Sequence, residues 1–210
     1  MNIQRGALRQ LGTGVRLLIF MTVLLGVVYP LAITGIGSVV APAQAAGSRV
    51  TDQQGKVVGS ELIGQNFLTA NGDPDPLYFQ PRPSAAGDGY DSMSSGGSNL
   101  GPESTDLVAA IQERRAQVAA FNKVAADQVP TDAVTASASG LDPDISVEYA
   151  RLQSDRVASQ RGLDKGSVAE LVTRSIQHTG PWLPGQDRVN VLRLNLELAK
   201  LDSGTEGNGA

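Results

Sequence analysis

The chain has 210 residues with no cysteine and one histidine, which excludes a disulfide framework, most metal centres and most histidine-dependent nucleophiles. Its 17 basic and 21 acidic residues are unevenly placed: Arg5, Arg9 and Arg16 stand at the N-terminus, and every acidic residue lies at or beyond Asp52. Setting those three arginines aside leaves 14 basic against 21 acidic residues, about −7, the wrong sign for a nucleic-acid-binding face.

From Leu17 to Ala46 no residue is charged. A membrane-spanning helix needs roughly 20 mainly apolar residues, so 17–40 is long enough to cross a bilayer. Pro30 interrupts the run and removes one backbone donor, a defect that membrane helices tolerate when a neighbour satisfies the freed group. Gly35, Gly37 and Ser38 then offer a small-residue patch where another helix can come close. The basic residues before the span place 1–16 in the cytoplasm and 41–202 on the exported side of the cell membrane. The alternative is a signal peptide cleaved after Ala43-Gln44-Ala45, which would release an exported module that binds a small ligand. The apolar run exceeds the roughly 7–15 residues of a signal-peptide core, which favours the anchor.

Residues 48–67 read as a short hairpin, with strands Arg49–Asp52 and Lys56–Val58 around a turn at Gly55. Residues 69–104 are rich in Gly, Pro, Ser, Asp and Asn, a length of loop that marks a functional or unstructured segment. A helix is predicted from Thr105 to Ala126, capped by Ser104, with Leu107, Ile111, Val118 and Phe121 near one face. "VPTDAVTASASG" (129–140) reads as extended. A second helix is predicted from Asp144 or Ser146 to Arg161, ended by Gly162. A third opens with a capping box at Ser167–Glu170 and stops at Gly180-Pro181, with His178 at its C-terminal end. In "VLRLNLELAKL" the leucines at 192, 194, 196 and 198 alternate with polar residues, the pattern of a half-buried strand. Positions 203–210 read as a disordered polar tail. The expected fold class is therefore α+β: one N-terminal transmembrane helix followed by one extracytoplasmic α+β domain, with helices covering one face of a small sheet.

No catalytic constellation stands out. The single Gly-Lys pair, Gly55-Lys56, is followed by Val57, so a nucleotide-hydrolysing P-loop is missing. "SGGSNLG" (95–101) could present backbone N–H groups to an anion, but Glu103 and Asp106 already supply negative charge at the following helix start. A turn and cap is the better reading. The nucleophile-elbow spacing fails at Ser98, because Leu100 stands where glycine is required. The acid pairs Asp73/Asp75 and Asp142/Asp144 each adjoin proline and read as turns. No metal ligands and no firmly bound cofactor are expected.

Six blocks in order nevertheless carry a resemblance: Val28-Tyr29-Pro30-Leu31, "SELIGQNF" (60–67), "RPSA" (82–85), "SGGSNLGP" (95–102), "TASASGLDP" (135–143) and "VNVLRLNLELAKL" (189–201). With Gln153 and Arg156 they closely resemble the C subunit of Kdp-type potassium-transporting ATPases, the KdpC family, over nearly all of the chain from the span onward. Pro81 and Asp144 depart from residues common in that family. The resemblance implies a non-catalytic accessory subunit of an ATP-driven, high-affinity potassium importer. Its implied partners are a channel-like potassium-binding subunit, a P-type ATPase subunit and a very small membrane subunit. It also implies a "catalytic chaperone" that raises the ATP affinity of the ATPase subunit, with Gln153 and Arg156 contacting nucleotide transiently; ATP itself would be held by the ATPase subunit. Their spacing carries a different reading. They lie one turn apart on one helix face and can equally bind backbone or an acidic neighbour, on the side of the membrane where ATP is scarce.

Overall fold

A computed structural model describes residues 3–180 and 185–206. The chain divides into two compact units, Met1–Ser48 and Arg49–Ala210.

The first unit is helical. Helix α1 (Ile3–Val23) continues through a widened π-turn at Leu24–Val28 into α2 (Tyr29–Val40), and the short α3 (Pro42–Ala45) follows. Gly6–Val40 is long and apolar enough to cross a membrane, and none of it is buried within the protein. The π-turn has a local cause. Pro30 has no N–H, and its ring would collide with the carbonyl four residues earlier, so the ladder widens immediately before it. The Tyr29 N–H accordingly reaches back five residues to the Leu24 carbonyl.

The second unit opens with an antiparallel hairpin, β1 (Arg49–Thr51) and β2 (Val57–Ser60), in which Arg49 faces Ser60. After a long irregular segment come α4 (Thr105–Asn122), β3 (Asp144–Ser146), α5 (Val147–Arg161), α6 (Lys165–Arg174), β4 (Ile176–Gln177), β5 (Arg188–Asn190) and α7 (Val191–Glu206). Strands β3, β5 and β4 form an antiparallel sheet in that order, with Ile145 and Ile176 both opposite Val189. Two separate small sheets and a set of helices make an α+β domain, in agreement with the expected class.

The core lies where α5, α6 and α7 meet the three-stranded sheet. Val157, Val168, Val172, Val189, Leu194 and Leu198 are all inaccessible to solvent. Helix α5 begins and ends as its sequence indicates. Ser146 Oγ accepts the Tyr149 N–H, and Gly162 adopts φ 66°, the left-handed value that glycine tolerates best.

Several expectations are corrected. The run 191–201 is helix, not strand. Leu, Arg, Glu, Ala and Lys are good helix formers, and spacings of two and of 3.6 residues both pair Leu194 with Leu198. The structure takes the helical choice: Val191, Leu194, Asn195 and Leu198 are buried while Leu196 is only half-buried. Asn190 Oδ1 starts this helix by accepting the Arg193 N–H at 3.1 Å. The helix carries on through Glu206, so the expected disordered tail begins too early; 207–210 lie outside the described residues. Helix α6 is capped by Asp164, whose carboxylate accepts the Ser167 N–H, instead of by a Ser167 capping box. It ends at Arg174, and the predicted stop at Gly180-Pro181 falls beyond β4, with Pro181 outside the described residues. Helix α4 stops at Asn122, closed by Lys123 at φ 57°, and Ser104 precedes it without a side-chain cap bond. The 129–140 segment holds a 3-10 turn at Thr131–Ala133 where extended chain was expected.

Candidate functional site

Gln153 and Arg156 project from α5 into the domain, 0% and 7% exposed. Both grip one irregular segment, 76–80. Gln153 Oε1 accepts the Gln80 N–H at 2.7 Å, and its Nε2 donates to the Gln80 carbonyl at 3.0 Å. From α7, Asn195 does the same for the preceding residue: it accepts the Phe79 N–H and donates to the Phe79 carbonyl, both at 2.9 Å. Two buried amide side chains thus supply the pairing a neighbouring strand would give. They fix Phe79, fully buried, at the centre of the core.

Arg156 completes the clamp. Its guanidinium donates to the carbonyls of Pro76 and Tyr78, to Asn122 Oδ1 at 2.9 Å and to Gln153 Oε1 at 2.8 Å. Its plane lies over the Phe121 ring, 4.4 Å from the centroid. Burial lowers its pKa to about 10, which still leaves it charged at neutral pH. Arg161, the last residue of the same helix, donates to the Leu77 carbonyl at 2.6 Å and stacks on Tyr78.

The second feature is a knot of loops formed by four of the blocks named above. Ser84 Oγ donates to the Gly140 carbonyl at 2.6 Å and accepts the N–H groups of Ala86 and Tyr90. The Tyr90 hydroxyl donates to the Arg82 carbonyl at 2.9 Å, and burial raises its pKa. Arg82 bonds Asp142 at 2.8 Å and the Thr135 carbonyl. Gly64 N–H meets the Leu141 carbonyl, and Gly96 N–H meets that of Ser139. Two glycines are required by the packing. A Cβ on Gly64 would lie 2.3 Å from Tyr90 Cε1, and one on Gly140, at φ 67°, would lie 2.6 Å from the Ala86 Cβ.

These blocks converge at the surface on a shallow cleft of about 770 Å³, lined by Leu62, Ile63, Arg82, Leu141 and Asp142 among others. Leu62 is 66% exposed, and Met93 on the adjoining loop is 93% exposed. The stretch 95–101 belongs to this knot: Ser95 Oγ and Gly96 N–H both donate to Ser139, and Gly97 lies against the Ala138 backbone. Its geometry is that of a packed loop leading toward α4, as the turn reading expected.

The other sequence candidates are scattered. His178 follows β4, not a helix end, and its Nδ1 lies 2.8 Å from Asp187, whose pKa this hydrogen bond lowers. Asp142 and Asp144 take separate partners, Arg82 and Arg188, and burial raises the Asp144 pKa against the opposing pull of Arg188. Asn195, Asn122 and Gln80 escaped the sequence reading. For Asn195 the helical period, which sets it beside Leu194 and Leu198, was the available signal; Gln80 sits in irregular chain and had none.

Residues 11–200 match the model of the family described as K+-transporting ATPase, c chain. A relative from Kineococcus radiotolerans named potassium-transporting ATPase KdpC subunit is 53% identical over 91% of this chain and 93% of its own. Proteins of the same name from Beijerinckia indica, 49% identical over 86% and 88%, and Mycobacterium tuberculosis, 46% identical over 92% and 99%, are also similar. With a match that extends from the apolar helix to the end of the buried face of α7, the chain belongs to the KdpC family.

Proposed function

We propose that the chain is a non-catalytic subunit of an ATP-driven potassium import complex, anchored by one span with its N-terminus in the cytoplasm and its α+β domain outside. Its partners are a channel-like potassium-binding subunit, a P-type ATPase subunit and a small membrane subunit. Family membership supports the complex, and the arginines ahead of the span support the orientation. The observation that carries the accessory role is where the family's blocks go. Four of them build a hydrogen-bonded loop scaffold whose rim exposes Leu62 and Ile63 beside the Arg82–Asp142 pair, a docking surface held on a rigid frame.

Gln153 and Arg156 act in this reading as positioning residues. Among the described residues, every side-chain hydrogen bond they make is to the 76–80 segment, Asn122 or each other. Any effect of the chain on ATP affinity is then transmitted through partner subunits, by stabilising the assembled pump. Deleting the chain from the complex is expected to abolish potassium-stimulated ATP hydrolysis, with the other subunits still present in the membrane. Full activity without it overturns the proposal.

A further inference from the structure

The π-turn in the apolar helix leaves backbone carbonyls without partners at the depth where no water reaches them. The Tyr29 N–H is taken by the Leu24 carbonyl, and Pro30 has none. Val28 is the N-cap of α2, so its carbonyl takes the Ala32 N–H. One donor, the Leu31 N–H, therefore remains for the three carbonyls of Leu25, Gly26 and Val27. Among the described residues no side chain of this chain donates to them; Ser38 and Thr13 turn back onto Thr34 and Arg9. These residues sit near the middle of the uncharged stretch, where an unmade backbone bond is costly.

We propose that a helix of another subunit of the pump crosses this helix at the π-turn and donates a hydroxyl or amide hydrogen bond to the free carbonyls of the 25–27 segment. This rests on the reading of the chain as a pump subunit with one span. The local surface suits such a crossing. Gly26 has open space where a Cβ would stand, and in α2 Pro30 and Ile33 continue the same face up to Gly37, where Ala45 of α3 closes it with its Cβ 3.8 Å from the position of a Gly37 Cβ. Val39, 83% exposed, lies on the opposite side of the helix.

The test uses the complete complex in native membranes. A photoreactive phenylalanine analogue at position 33 is expected to cross-link to another subunit, and the same analogue at position 39 is not. Gly26→Leu blocks close approach, and Pro30→Ala returns the missing N–H to the ladder. Each is expected to reduce retention of the chain in the detergent-solubilised complex by roughly 3- to 30-fold, the worth of one interhelical hydrogen bond in a bilayer. Equal cross-linking from both positions, cross-linking of position 33 to a second copy of this chain, or unchanged retention of both variants overturns the proposal. A wild-type chain that is recovered from membranes with no other pump subunit attached overturns the underlying assignment instead.

Discussion

Arg156 donates to two backbone carbonyls and two amide oxygens, drawn from the 76–80 segment, α4 and α5. Replacing it with methionine keeps the volume and the contact with Phe121 but leaves those acceptors short of a donor. Arg156→Met is therefore expected to cost about 2–4 kcal/mol of stability. Arg156→Lys is expected to recover only part of that loss, because one ammonium cannot span the directions that the planar guanidinium reaches. Urea unfolding followed by circular dichroism measures both. Unchanged stability in the methionine variant would show that the guanidinium serves a ligand and not the fold. The sequence places Gln153 and Arg156 one turn apart and allows them backbone partners. That the partners come from Gln80, 73 positions earlier, and Pro76, 80 positions earlier, is not legible, because no local pattern records which irregular segment a helix face will meet.

At the scale of elements, α7 separates two readings of one sequence. A strand would bury Leu194 and Leu196 alike, whereas the helix buries Leu194 completely and leaves Leu196 half-exposed. Leu194→Ala is expected to destabilise the domain by about 2–5 kcal/mol, and Leu196→Ala by less than about 1.5 kcal/mol. Equal losses, read from the same unfolding curves, would contradict the helix. Helix α5 is legible almost to the residue because its signals are local: Ser146 caps it and Gly162 ends it. Helix α7 is not legible in this way, because its start depends on Asn190 and on β5, and β5 exists only through pairing with β3 and β4. A run whose leucines satisfy both periods can be assigned only once its neighbours are in place.

For the whole molecule, the division at Ser48 has a direct consequence. The buried residues of the core cluster all lie between Phe79 and Leu198, inside the second unit. Residues 49–206 are therefore expected to fold without the span, as a soluble domain that unfolds in one cooperative step. Size-exclusion chromatography and thermal melting of that fragment check it. Aggregation, or a melt without a transition, would show that the domain depends on the membrane helix or on partner subunits for its folding.

The amino-acid sequence by itself determined the apolar span with arginines before it, the hairpin at 49–60, the helices α4 and α5, the α+β class and the resemblance to the KdpC family. All of these rest on composition, on contacts between residues close along the chain, or on blocks that stand in a recognisable order. Tertiary structure alone decided that the 191–201 run is a helix, and that Asn195 and Gln153 act as a pair on Phe79 and Gln80. It alone closed blocks 56 and 60 residues apart into one knot around Ser84, Arg82 and Tyr90. Each of these is settled by polar groups that must find partners once water has been excluded, and those partners lie far along the chain.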